Sequence, residues 1–197
     1  MAIEYEVKFK MDSEHFPTFC EEIPGPETHY DMETTWFDTP SGALTARHYT
    51  LRQRLENGKS VFTLKTPYKY YMARREYVSK QKTLEKALPV LCRQSKLEEL
   101  PALLAEGLVP ICGARFKRIT KEFDLDGCIV ELAMDEGVLI GGGREVPFSE
   151  IEFEKKKGNR ELLYDFGLAF AVTQHIQPLY ESKFVRAMKL ARGEDLE

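Results

Sequence analysis

Residues 3 to 10, Ile-Glu-Tyr-Glu-Val-Lys-Phe-Lys, alternate strictly, with Ile3, Tyr5, Val7 and Phe9 on one face and Glu4, Glu6, Lys8 and Lys10 on the other. A period of two is that of a β-strand. Strand-like stretches return at Thr34 to Asp38, Tyr49 to Glu56, Ser60 to Thr66 and 73–79, and again at Ala114 to Leu125, 128–135 and Pro147 to Lys155. Turn signals separate them: Pro-Ser-Gly at 40–42, Asn57-Gly58, Asp126-Gly127 and the glycine triplet at 141–143. Thr83 to Glu106 changes to helical spacing, rich in Leu, Ala, Lys and Glu, and predicts two or three short helices with breaks at Pro89 and Pro101. Asp12 or Ser13 is placed to cap a short helix over Glu14 to Glu21, ended by Pro24-Gly25-Pro26. Asn159 is placed to cap a helix running to Phe170, and a last helix covers Ser182 to Leu190. About eight strands, with helices inserted in the middle and added at the end, predict an α+β fold on an antiparallel sheet.

The polar faces of these strands are unusual in being sorted by charge. Arg52, Arg54 and Glu56 share one face opposite Leu51, Gln53 and Leu55; Lys65 sits with Val61 and Thr63; Arg74 shares a face with Glu76, and Arg118 with Thr120, Glu122 and Asp124. Acids line up as Glu4 with Glu6, Glu131 with Asp135, and Glu150 with Glu152 and Glu154. Alternate carboxylates on a strand stand ~6.6 Å apart at a rise of ~3.3 Å per residue, near enough for neighbours to approach one hard cation. Turned to solvent, such faces are ordinary edge charges. Turned inward, a row of three Glu needs metal ions, Lys or Arg beside it. A closed sheet with its ionic face inward would hold a ligand rich in negative charge together with the cations that neutralise it. Arg52, Arg54, Lys65, Arg74, Arg118 and Lys183 supply the bases, arginine suited to bidentate phosphate contact and lysine to a point charge.

Composition narrows the setting. A chain of 197 residues with 43 % hydrophobic content fits one domain with a sizeable core, and the net charge of −4 argues against general attraction to nucleic acid or anionic membrane. Cys20, Cys92, Cys112 and Cys128 are scattered without C-x-x-C spacing, which points to neither a zinc site nor a disulfide framework and hence to a reducing, cytoplasmic compartment. No apolar run approaches the ~18 residues of a membrane span, and the chain starts on a strand with no leader-like segment, so a soluble, unprocessed protein is expected. His15, His29, His48 and His175 lack ligand spacing and are assigned no role. No Walker loop, G-x-G-x-x-G or G-x-S-x-G occurs. Trp36, Phe37 and the Tyr68 to Tyr71 cluster are candidates for stacking on a base, though aromatic residues in and beside strands more often pack.

Taken in order, these residues resemble the CYTH superfamily, the triphosphate tunnel metalloenzymes. Glu4, Glu6 and Lys8 match its opening E-x-E-x-K, and the likeness continues through Trp36-Phe37-Asp38-Thr39-Pro40, Leu51-Arg52-Gln53-Arg54, Phe62-Thr63-Leu64-Lys65, Glu150-Ile151-Glu152-Phe153-Glu154 and Ser182-Lys183-Phe184. The resemblance implies a single domain over residues 1–197: an eight-stranded antiparallel β-barrel, or tunnel, with inserted and C-terminal helices. It also implies that Arg52, Arg54, Lys65, Arg118 and Lys183 hold phosphate oxygens. Glu4, Glu6, Glu152 and Glu154, with Asp135, would hold Mg2+ or Mn2+, and Lys8 would stand near the reacting phosphate. One departure stands out: where many members read R-x-E-x-E, this chain has Arg74, Glu76 and Val78, which leaves the role of Glu76 open. The function expected is metal-dependent hydrolysis of inorganic triphosphate or a small organic triphosphate. Adenylate cyclisation and thiamine triphosphate hydrolysis use the same residues, and a non-catalytic polyphosphate-binding module is the alternative of another class. The residues do not separate these substrates or set the oligomeric state.

Overall fold

The computed structural model describes residues 2–68 and 74–196. Its centre is an antiparallel sheet of β1 (Ala2–Ile3), β2 (Glu6–Lys10), β3 (Thr28–Asp38), β4 (Thr50–Glu56), β5 (Lys59–Pro67), β6 (Arg74–Ser79), β7 (Val109–Leu125), β8 (Cys128–Gly141) and β9 (Arg144–Lys157). The strand order is β1-β6-β5-β4-β3-β7-β8-β9-β2. The first two strands of the chain therefore stand at opposite ends of the order although only Glu4 and Tyr5 separate them, which requires the sheet to curl until its edges approach. The expected continuous strand over residues 3 to 10 is interrupted there because it seams two edges: β1 pairs with β6 (Ala2 opposite Glu76), and β2 with β9 (Glu6 opposite Glu154). Counted as one bent strand, β1 and β2 recover the expected eight. The remaining edge of β2 is covered, since Leu179 N–H donates to the Lys8 carbonyl at 2.7 Å and Phe9 bridges to Pro178.

Among the described residues, five helices dress this sheet: α1 (Phe16–Glu22), α2 (Leu84–Ser95), α3 (Leu100–Leu104), α4 (Arg160–Gln174) and α5 (Lys183–Ala191). The apolar faces read from the alternation point outward, under helices. Leu51, Phe62, Leu64 and Tyr77 pack against Ala87, Leu91 and Leu100 of α2 and α3. Phe9, Val130, Leu132, Met134, Ile151 and Phe153 pack against Phe16 and Phe19 of α1 and Leu163 of α4. The opposite face is charged over most of its length, but at one end α5 packs on it, laying Ala187 and Leu190 against Met32, Trp36, Ala114, Phe116, Leu139 and Phe148.

Three local readings change. Pro89 lies inside α2 and does not end it: the buried face of Ala87, Leu91 and Ser95 holds the helix together against the ~3 kcal/mol that an interior proline costs. Pro101 opens α3 at its first turn, where a missing N–H is harmless. Neither Asp12 nor Ser13 caps α1; residues 13–15 form a 3-10 turn, and Ser13 Oγ donates to Glu136 Oε1 at 2.5 Å. The strands β7, β8 and β9 run longer than their alternation, and the added ends include near-continuous apolar or small stretches at Val109–Gly113 and Val138–Gly141, of which Cys112, Gly113, Leu139 and Gly141 are buried. Residue 73 and Tyr70 and Tyr71 of the aromatic cluster lie outside the described residues.

Candidate active site

Antiparallel register builds the site in rows across the curled face. Arg118, Asp135, Glu150 and Lys10 are cross-strand partners along β7-β8-β9-β2; the next row is Thr120, Ala133, Glu152 and Lys8, and the next Glu122, Glu131, Glu154 and Glu6. On the other wall, Thr34 of β3 stands opposite Arg54 of β4, Trp36 opposite Arg52, and Lys65 of β5 opposite Glu76 of β6. Most of the charged residues picked out by parity thus share one face of the curled sheet, acids on β7 to β9 and β2, bases mainly on β4 and β5, while Lys10, Glu122 and Asp124 are exposed.

The deep end is neutralised. Arg118 grips Asp135 with two bonds of 2.6 Å and reaches Glu152 Oε2 at 2.7 Å. Lys183, first residue of α5, places Nζ 2.6 Å from Asp135 and 3.0 Å from Glu152, and also bonds Glu150. Arg186, one turn further along α5, pairs with Glu150. Asp135 and Glu150 are fully buried, so these pairs are not screened by water. Burial alone would lower the Lys183 pKa, but Asp135, Glu150 and Glu152 outweigh it and hold the ammonium charged. Burial likewise pushes Glu152 up, yet Lys183, Arg118 and Lys8 draw it well below the usual carboxylate range. Glu150 moves the other way, raised by burial and by Glu152 in spite of Lys183 and Arg186. The rings of Phe116 and Phe148 line this end, 5.3 and 5.4 Å from Lys183 Nζ.

Toward the seam the pairing is looser. Glu4, at the bend between β1 and β2, bonds Lys65, and burial is outweighed by Lys65 and Arg52 so that its pKa falls. Lys65 also lies 3.7 Å from Glu76, and Arg52 3.8 Å from the same carboxylate. Lys8, 8 % exposed, donates to Glu6 at 3.0 Å; burial is again overcome, by Glu6 and Glu152, and its pKa rises. Lys156 bridges Glu131 at 2.9 Å and Glu154 at 3.0 Å, yet burial, with Glu4 and Glu131 adding to it, raises the Glu154 pKa. Arg54 differs from the other cations. Among the described residues it has no carboxylate within ion-pair distance, and its Nε–H donates to Thr34 Oγ1 at 3.3 Å.

Two groups of carboxylates are candidates to hold a hard divalent ion. Oxygens of Asp135, Glu150 and Glu152 come within 4.8 Å of one another, but Arg118, Lys183 and Arg186 already satisfy them. Near the seam, Glu6, Glu154 and Glu131 face one another in register as like charges with Glu4 close by, and oxygen donors of that kind suit Mg2+ or Mn2+. Of the expected set, the structure joins Asp135 to Glu152 in the deep cluster and puts Glu4, Glu6 and Glu154 each on a lysine. Glu150 was read from sequence as one of a row of three acids but given no role, and Arg186 was not singled out. Their signal was there: Glu150 shares parity with Glu152, and Arg186 lies three residues after Lys183 on one helix face. Asp38, part of the quoted Trp36 to Pro40 stretch, is structural: its carboxylate accepts the N–H groups of Thr39, Leu44 and Thr45 at 2.7, 2.8 and 3.0 Å, ordering the loop that leads into β4. Trp36 is buried against Phe184, and the four histidines are exposed.

Comparison with known proteins bears on this arrangement at the family level, because the CYTH domain matches residues 2–188. The chain belongs to the CYTH family. An inorganic triphosphatase of Haemophilus influenzae is 34 % identical over 138 residues, covering 68 % of this CYTH chain and 39 % of that protein. A Bacillus subtilis protein named as a triphosphatase is 37 % identical over 70 residues, covering 34 % and 37 %. The matches thus span about two fifths of each curated relative's length. Among solved structures, HpAC1 of Hippeastrum, described as an adenylyl cyclase with a dominant triphosphatase activity, superposes with a TM-score of 0.63 at 20 % identity over 100 % of this chain and 98 % of that one. A Bacillus halodurans protein assigned as an adenylate cyclase gives 0.62 at 18 % identity over 92 % and 96 %. These two likenesses show the fold, an antiparallel curled sheet with helices.

Proposed function

We propose that this CYTH chain is a divalent-metal-dependent phosphohydrolase acting on inorganic triphosphate or a small organic triphosphate, within a single domain. The observation that carries the reading is the opposition of two walls in one cavity, Arg52, Arg54 and Lys65 facing Glu4, Glu6, Glu152 and Glu154. Phosphoryl transfer needs charge neutralisation and in-line alignment more than covalent help. Arg54 and Arg52 provide guanidinium forks for phosphate oxygens; Lys65, Arg118 and Lys183 add charge along the chain of phosphates. Glu4, Glu6 and Glu154, with Glu152 behind them, would hold Mg2+ or Mn2+, which when bound would screen phosphate charge and make a water more acidic. Asp135, with its oxygens taken by Arg118 and Lys183, orients those two cations. Lys8, buried and raised in pKa, remains an ammonium at neutral pH and serves as a cation at the reacting phosphate, not as a base.

Trp36 packs in the apolar end, so it offers no platform for a base, which favours inorganic triphosphate over a nucleotide. The name of the Haemophilus influenzae relative supports the same choice. A reducing cytoplasmic setting accords with four free cysteines, and no helix among the described residues is long and apolar enough to cross a membrane. Phosphate release from triphosphate, measured with Mg2+ or Mn2+ and again in EDTA, tests the assignment. Turnover is expected only with the metal, and a folded Glu4→Gln, Glu6→Gln double variant is expected to lose it; unaltered turnover in that variant rejects the reading.

A further inference from the structure

The bases assigned to phosphate are mostly engaged by the acids assigned to metal. Lys8 holds Glu6 at 3.0 Å, Arg118 holds Glu152 at 2.7 Å, and Lys65 holds Glu4. The last pair is set apart by where its members sit. Lys65 stands on β5 in the basic wall, whereas Glu4 lies 61 residues away in sequence, at the bend that seams the curled sheet beside the acidic wall. Both side chains keep about a fifth of their surface, 19 % and 20 %, so each is within reach of an arriving ion. A free divalent cation that approaches Glu4 meets the Lys65 ammonium, and a free triphosphate that approaches Lys65 meets the Glu4 carboxylate. Either ion alone must break the pair and then lie against the like charge released. A cation and a triphosphate arriving together satisfy both partners at once, because the positive ion takes the acid and the anion takes the base. Arg54, without a carboxylate in contact among the described residues, is left to anchor the anion while the pair opens.

We propose that the Lys65–Glu4 pair is a latch that makes this cavity select the cation-complexed form of a triphosphate over either free ion. The inference rests on the phosphate-site reading above and adds to it the form in which the substrate is taken. A latch of this kind is a coupling free energy, and it acts equally on both ligands.

Isothermal titration calorimetry with Mn2+ alone, with inorganic triphosphate in EDTA, and with the two together reads the coupling. The Mn2+–triphosphate equilibrium in buffer is measured separately. Wild-type protein is expected to bind triphosphate about tenfold or more tightly when Mn2+ is present, within the roughly 5- to 150-fold span of such couplings. Lys65→Met frees Glu4, so Mn2+ alone binds about fivefold more tightly while triphosphate in EDTA binds more weakly. Glu4→Gln leaves Lys65 with only the looser Glu76 contact at 3.7 Å and reverses both changes. Loss of a simple ligand weakens binding but never strengthens it, so the gain in each variant separates a latch from two independent contacts. Equal triphosphate affinity with and without Mn2+ in the wild type, or unchanged Mn2+ affinity in Lys65→Met, overturns the latch and leaves the phosphate site standing. Absence of triphosphate binding by folded wild type under every condition overturns the phosphate-site reading and the latch with it. Should Glu4→Gln fail to fold, Lys65→Met carries the test alone, because its two expected shifts have opposite signs.

Discussion

Arg54 is half-buried on β4 with Thr34 Oγ1 at 3.3 Å, and desolvation, with Arg52 and Arg118 alongside, depresses its pKa. Its neighbour Arg52 has a buried Nε without a hydrogen-bond partner. A guanidinium group desolvated without a matching acid, as Arg54 is among the described residues, is a burden on the fold that a bound polyanion relieves. Arg54→Met is therefore expected to raise stability by ~1–3 kcal/mol in the ligand-free protein, measured by urea unfolding, while triphosphate affinity falls by at least about tenfold. A loss of stability would show that Arg54 is held by the fold for its own sake. Parity along the strands was enough to find Arg52, Arg54, Lys65 and Arg118, since every second residue of a strand shares a face. It was not enough to show that Arg54 alone among them lacks a carboxylate. That depends on which side chains lie across the hollow, and Thr34 opposite it on β3 is uncharged.

At the scale of elements, α5 is where the site and the stability of the fold meet. Ser182 Oγ accepts the Val185 N–H at 3.2 Å, and the residue that follows the cap is Lys183. Asn159 caps α4 in the same way, accepting the Glu161 N–H at 3.0 Å, but α4 lies on the outer face, away from the charges. Ser182→Ala and Asn159→Ala are each expected to cost ~1 kcal/mol of stability. Only Ser182→Ala is expected to reduce triphosphate turnover beyond that loss, by about tenfold, because fraying the first turn displaces Nζ of Lys183 from Asp135 and Glu152. Equal activity in the two variants would show that the start of α5 has no part in the site. The Asn159 cap was legible from sequence; Ser182 was placed at the start of the last helix without being read as its cap. The docking of α5 on the charged face was not, although the glycine triplet carried a trace of it: a Cβ on Gly141 would come 2.4 Å from the Ala187 carbonyl oxygen. A turn signal and a close-approach signal look alike in one sequence.

For the molecule as a whole, closure matters more than any one strand. The charges occupy a hollow only because β1 and β2 tie the two edges of the sheet together, so ligand binding to the cavity should act on global unfolding. Triphosphate with Mn2+ at about 100 times its Kd is expected to stabilise the fold by ~2.7 kcal/mol, a rise of roughly 5–10 °C in Tm for a chain of this length. Triphosphate in EDTA is expected to give a smaller rise, and scanning calorimetry distinguishes the two. The amino-acid sequence by itself determined the elements, the two faces of each strand and the sorting of acids from bases, because a residue's parity and the chemistry of its side chain are local properties. It also determined the family, through short stretches kept in a fixed order. Tertiary structure alone decided which charges meet. Lys65 chooses Glu4 across 61 residues, Arg118 and Lys183 share Asp135, and Arg186 closes on Glu150, since the curl of the sheet and the docking of α5 set those distances and neither is written in the period of any single segment.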